Sequence, residues 1–223
     1  MPQAKNRKIL TYIFLFFLVG TLGNKNFSLS DFIKVNEILV YGLDDENNQE
    51  ITNNLKLIKS SNLILLNKNL IEEIIISNNL VESYYVFKEY PSSLKIKIHR
   101  TEFYARVIKD GIYYFLGSNG KLIKTNISNE NIPTIVGEFD NKNFMELKKA
   151  ADDSKFDFFS IKKLFFHKSG RWDLELNSGI LVKLPRIDIL DSFKFLILFL
   201  SENKEKKINI IDLRQKNQII FNG

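Results

Sequence analysis

Cysteine is absent from the 223 residues, which removes thiolate nucleophiles, disulfide bridges and every cysteine-ligated metal site. Histidine is nearly as scarce, with only two, His99 and His167. No His-x-x-His pair and no Gly-x-Ser-x-Gly elbow is present. Each histidine therefore reads as a strand-end or turn residue rather than a base or ligand. The glycines at 111, 117 and 120 lead into strands, not into a helix N-terminus, and make no phosphate cradle. The acidic clusters Asp44-Asp45-Glu46 and Asp152-Asp153 lie at helix ends, where the helix dipole and solvation account for them. The chain is expected to be no enzyme, with no cofactor, no metal and no small-molecule substrate. A field of one charge sign is also lacking. Of the net +6, Lys5, Arg7 and Lys8 supply three ahead of the first apolar run, and the other charges alternate in sign. Nucleic acid is not an expected partner.

Long apolar runs are scarce too, and the single one present sets the solvent for everything after it. Between Lys8 and Lys25 no side chain is charged, and Ile9 to Val19 is apolar on every side but for Thr11. A helix apolar all round sits either in a large core or in lipid. The three basic residues before it place the N-terminus in the cytoplasm. Residues 9–24 reach about 24 Å at ~1.5 Å each, short of a hydrocarbon core of roughly 30 Å. Snorkelling by Lys8 and Lys25 and local thinning make up the difference. The Leu, Ile, Val and Phe side chains contribute roughly −3 to −6 kcal/mol to insertion. The competing reading is a cleaved signal peptide ending near Thr21-Leu22-Gly23. Both readings export the remainder. Phe193 to Leu200, broken by Lys194, is too short for a second span.

Residues 27–34 read as a juxtamembrane connection in which Ser30 and Asp31 can cap a short helix. Val35 to Gly42 reads as a strand closed by a turn. Ile51, Leu55 and Ile58 mark an amphipathic helix within 44–60. Asn67 caps a second helix over 69–78, with Leu70, Ile74 and Ile75 expected inward. Val81 to Lys88 and the alternating Leu94 to Arg100 are strands joined by Tyr90-Pro91-Ser92-Ser93. Two helices on one face of a three-stranded sheet would bury one apolar face per element.

Beyond Arg100 the pattern is richer in strands: 103–108, 112–116 and 121–124, with turns at Lys109-Asp110-Gly111 and Ser118-Asn119-Gly120. Pro133 to Gly137 follows. A helix over 141–152 carries Phe144, Leu147 and Ala151, and 161–166 is a strand. Arg171 to Leu184 reads as a hairpin around Asn177-Ser178-Gly179. A helix over 187–201 carries Leu190, Phe193, Ile197 and Leu200, and Trp172 is expected in the core beneath it. The chain closes with strands at 208–211 and 218–221 around Asp212-Leu213-Arg214.

The ordered set Val40-Tyr41-Gly42, Asn62-Leu63, Tyr90-Pro91-Ser92-Ser93-Leu94 and His99-Arg100 resembles a POTRA domain. Together with the Trp172-led hairpin and the Asp212-Leu213-Arg214 segment, the chain resembles the FtsQ/DivIB family of bacterial cell-division proteins over nearly its whole length. The resemblance implies an α+β chain with one N-terminal transmembrane helix: cytoplasmic tail 1–8, anchor 9–24, linker 25–33, POTRA domain (β-α-α-β-β) 34–102 and β-domain 103–223. It implies a non-catalytic division scaffold, single-pass in the inner membrane at the septum, with its bulk in the periplasm.

A last strand with no successor leaves backbone donors and acceptors open to an added strand. Gln218, Ile219, Ile220 and Phe221 carry none of the proline or lysine guards that blunt an edge. In the resembled family this strand receives FtsB, itself paired with FtsL. The resemblance extends that role to Arg214, Gln215 and Asn217 as well, although Gln215 stands where some members have an aromatic residue. Lys168 and Arg171, just ahead of the hairpin, are solvated charges by default and could meet an acidic partner helix. The rival reading is a POTRA-type secretion or assembly protein that handles exported polypeptides.

Overall fold

The computed structural model describes residues 3–22, 33–124, 131–203, 207–216 and 218–223. Helix α1, Gln3–Leu22, contains the apolar run, and its side chains from Ile9 to Val19 are exposed, Phe16 by 77%. No helix among the described residues is long and apolar enough to cross a membrane. The reason is positional, since Lys5, Arg7 and Lys8 occupy the first two turns of α1. The expected linker caps Ser30 and Asp31 lie outside the described residues. Two compact units make up the chain: residues 1–78 with 83–99, and residues 79–82 with 100–223.

In the first unit β1 (Glu37–Tyr41), α2 (Asp45–Asn54), α3 (Lys68–Ser77), β2 (Val81–Glu89) and β3 (Ser93–Arg100) follow in the expected β-α-α-β-β order. Asp44 caps α2, accepting from the Asn47 amide at 3.1 Å, and Asn67 caps α3, accepting from the Asn69 amide at 3.0 Å. Each cap contributes about 1 kcal/mol. After Asn54 the chain tightens into a 3₁₀ turn, Leu55–Ile58. The apolar spacing therefore runs on while the α-helix stops. Ile51, Leu55 and Ile58 are all buried, as their spacing requires. In α3 the buried pair is Ile71 and Ile75, with Leu70 and Ile74 only half-buried. The stripe is thus rotated by about one residue from the expected Leu70, Ile74 and Ile75.

The last strand of this unit is not at an edge. The sheet order is β1-β3-β2, with β3 parallel to β1 from Glu37↔Ser93 to Tyr41↔Lys97. Gly42 follows β1 at φ +119°, where a Cβ would collide with the Ile98 carbonyl oxygen. Gly42→Ala is expected to lower the stability of this unit by at least about 1–3 kcal/mol. Urea denaturation followed by circular dichroism measures the loss.

The second unit is a nine-stranded sheet. Its strands are β4 (Phe103–Lys109), β5 (Ile112–Gly117), β6 (Leu122–Ile123), β7 (Thr134–Val136), β8 (Ile161–Phe166), β9 (Trp172–Leu176), β10 (Leu181–Lys183), β11 (Ile210–Asp212) and β12 (Ile220–Asn222). The spatial order is β12-β11-β10-β9-β8-β7-β4-β5-β6. Helices α4 (Asn141–Ser154) and α5 (Ile189–Glu202) pack against each other. Val107, Ile135, Leu164, Leu174, Val182 and Ile211 form a continuous cross-strand row. All six are buried in one core with Phe144 and Leu147 of α4 and Phe193 and Leu196 of α5. The alternate residues of each strand form the opposite face.

Trp172 is buried to 1% exposure, as expected of a core residue, but its aromatic neighbours differ from the expected cover. Its ring lies 4.6 Å from that of Phe166 and 6.3 Å from those of Phe139 and Phe144. The helix that contributes a ring to it is therefore α4, not the later one. In α5 the fully covered positions are Ser192, Phe193 and Leu196, with Ile197 and Leu200 at the margin. The strands expected at 121–124, 208–211 and 218–221 are shorter or shifted, at 122–123, 210–212 and 220–222.

Candidate partner-docking site

β12 occupies one end of the nine-stranded sheet and pairs antiparallel with β11, at Ile210↔Asn222, Ile211↔Phe221 and Asp212↔Ile220. Among the described residues no strand pairs with its other side, which makes it a sheet edge. Alternation sends Phe221 to the helix-covered face, where its ring lies 5.0 Å from Phe199 of α5. Ile220 points to the opposite face and is 51% exposed. Beside this edge, between α5 and the connection from β11 to β12, lies a groove of about 760 Å³. Ile187, Phe195, Leu198, Leu213 and Ile219 supply its apolar lining. Phe195 and Leu198 are large apolar side chains on the exposed side of α5.

Four of the residues expected from the sequence, Arg214, Gln215, Gln218 and Ile219, line this groove, and Ile220 and Phe221 form the strand next to it. Asn217 lies outside the described residues. Arg214 is held in place by Asp212: its Nε donates to Oδ1 at 2.8 Å and to Oδ2 at 2.9 Å. These hydrogen bonds and the guanidinium charge draw the Asp212 carboxyl below its ordinary value, and Lys183 adds to the effect.

The other two expected residues sit at the hairpin. Lys168 is exposed in the turn before β9. Arg171 is drawn partly inward, its Nε 3.7 Å from Asp173 Oδ1. Asp173 is only 6% exposed and also holds His167 Nε2 at 2.8 Å through Oδ2. Asp173, Lys183, Asp212 and Ile220 are successive neighbours across β9, β10, β11 and β12. Arg171 and Arg214 are thereby tied, each through its own aspartate, to one face of the sheet. Sequence reasoning missed Asp173 and Asp212 as the residues that orient the two arginines. Alternation in the hairpin was a usable signal for the first. For Ile187, Phe195 and Leu198 no signal distinguished a groove wall from a core stripe.

Glu175 on β9 is a second lowered carboxyl. Burial alone would raise it, but hydrogen bonds and charge from Lys162 and Lys163 outweigh that. A carboxyl lowered by folding stabilises the native state above its unfolded value and stops doing so as pH falls through its folded value. With ordinary values of 3.8 for Asp212 and 4.5 for Glu175, Tm is expected to hold from pH 7 to about 5.5 and to fall steeply below about 4.5. Asp212→Asn should flatten the fall. Thermal melts across that pH range measure both.

Among the described residues no group of three or more histidine and carboxylate side chains could hold a metal. A helix-backed three-stranded module followed by a long, helix-covered sheet defines a POTRA-plus-β-domain protein. Residues 33–99 match the family described as "POTRA domain, FtsQ-type". Residues 105–214 match "Cell division protein FtsQ/DivIB, C-terminal". The chain belongs to the FtsQ/DivIB family of cell-division proteins, a family of non-catalytic scaffolds. It is 25% identical over 190 residues to the cell division protein FtsQ of Rickettsia bellii (strain RML369-C), covering 83% of this chain and 70% of the relative. It is also similar to the structure of the major extracytoplasmic domain of the trans isomer of DivIB from Geobacillus stearothermophilus, at 16% identity and a TM-score of 0.36, covering 48% of this chain and 98% of the other.

Proposed function

We propose that the protein is an inner-membrane scaffold of the division septum whose β12 edge captures an extended strand from an FtsB-like protein, itself paired with an FtsL-like one. The observation that carries this reading is the position of β12, open on one side and flanked by an apolar groove. Strand addition draws its affinity from main-chain hydrogen bonds, and pockets for alternate side chains supply selectivity. The groove beside β12 offers such a pocket. Arg214, preset by Asp212, supplies a planar donor for an acidic residue of the incoming chain, and Lys168 and Arg171 add positive charge further across the sheet.

The apolar run of α1 anchors the chain, its flanking lysines reaching the headgroups at each side. The side chains from Ile9 to Val19 are exposed along α1, and lipid is the solvent that suits apolar side chains exposed on all sides of a helix. Anchoring confines both exported units to the membrane surface and raises their effective concentration toward other anchored chains. The POTRA unit links the captured pair to other septal proteins.

The test is co-purification of the full-length chain with short single-span coiled-coil proteins of the same cell, with proline placed in β12. Capture that persists unchanged in a folded proline variant whose edge donor is gone removes the edge-strand reading.

A further inference from the structure

The open face of the β-domain sheet carries a second set of charges, away from β12. β8 is irregular at Lys162: Ile161 pairs with Leu176 and Lys163 with Glu175, so β8 spends one extra residue. Such a bulge interrupts alternation. Two consecutive lysines consequently reach one carboxylate, Lys162 Nζ at 3.2 Å from Glu175 Oε1 and Lys163 Nζ at 3.4 Å from Oε2. In the same cross-strand row Lys163 neighbours Thr134 of β7, and Thr134 neighbours Arg106 of β4. Arg106, Thr134, Lys162, Lys163 and Asn177 line a recess of about 260 Å³.

The local balance is uneven. Among the described residues three cations stand against the one carboxylate of Glu175, leaving +2. No carboxylate among the described residues pairs with Arg106. Among the described residues its side chain makes a single long hydrogen bond, Nη2 donating to the Ile132 carbonyl at 3.4 Å, and its buried Nε meets no partner. A guanidinium that has given up water and gained so little in return is best stabilised by an anion.

We propose that this recess binds a dianionic phosphate group, free or on a small ester. The excess of +2 matches a phosphate monoester, which carries about −1.5 to −2 at pH 7, better than a single carboxylate. The donors suit three oxygens: a guanidinium, two ammonium groups, a hydroxyl and an amide. At roughly 30 Å³ per water the volume holds about eight waters, enough for a phosphate with a short substituent.

The test is titration of the full-length chain in detergent micelles with inorganic phosphate, at constant ionic strength and pH 7.5, read by calorimetry and amide NMR shifts. Saturable binding of about millimolar affinity or tighter is expected, with shifts centred on β4, β7 and β8. Arg106→Gln should weaken it about tenfold or more, and Lys163→Gln likewise. Glu175→Gln should strengthen it by removing the competing carboxylate, a sign that general salt effects do not produce. Tighter binding of glycerol phosphate would assign a small ester as the source, and displacement by phosphatidic acid vesicles a lipid headgroup. Absence of saturable binding, equal affinity for acetate, or undiminished affinity in folded Arg106→Gln and Lys163→Gln variants would overturn the proposal.

Discussion

Trp172→Ala is expected to destabilise the β-domain by about 3–5 kcal/mol, the range for removing a large buried aromatic from a packed core. The side chain is 1% exposed, and its ring meets those of Phe139, Phe144 and Phe166. The lost volume opens at the point where α4 meets the middle of the sheet, so neighbouring side chains have little freedom to close it. Against a typical domain stability of about 5–15 kcal/mol, the loss is roughly a fifth or more of the total. Urea denaturation of the full-length chain followed by far-ultraviolet circular dichroism measures it. A loss under about 1 kcal/mol would mean that this ring is not the centre of the core. Trp172→Phe keeps most of the buried area and should recover most of the stability.

Proline in β12 is expected to lower partner capture more than tenfold, the equivalent of a lost main-chain hydrogen bond and the ring's clash with an incoming strand. In an antiparallel pair successive residues direct their N–H groups alternately toward the partner strand and away from it. Of Ile220→Pro and Phe221→Pro, one removes a donor from the ladder with β11 and the other a donor from the open edge. The two variants belong side by side. The edge variant should keep its thermal stability and lose capture. The ladder variant should lose both, because β12 then detaches from Ile211 and Asp212. Circular dichroism and co-purification from the same preparations separate these outcomes.

The period of the apolar residues determined most of the fold before any contact was known. Ile51, Leu55 and Ile58 in the POTRA unit, and Phe144, Leu147 and Ala151 in α4, are buried where their spacing placed them. Local chemistry is short-ranged, which is why the Asp44 and Asn67 caps could be read directly. The rotation of α3 toward Ile71 could not, since several adjacent apolar residues offer near-equal stripes and docking chooses among them.

The candidate docking site divides along the same line. Its residues were legible as the last apolar segment and the Asp212-Leu213-Arg214 run. Its arrangement was not. Asp173, an ordinary solvent-facing residue by alternation, is only 6% exposed because His167 and Arg171 close over it. The groove walls of α5 look in sequence like any other apolar helix.

By itself the sequence determined element types, the helix caps at Asp44 and Asn67 and the order of elements along the chain, because these depend on residues within a few positions of one another. Only the tertiary structure decided which strand is an edge. The last strand of the POTRA unit, β3, lies in the middle of its sheet, whereas the last strand of the β-domain, β12, lies at the end. Chain order does not determine spatial order, since pairing between distant strands is set by how whole faces are buried.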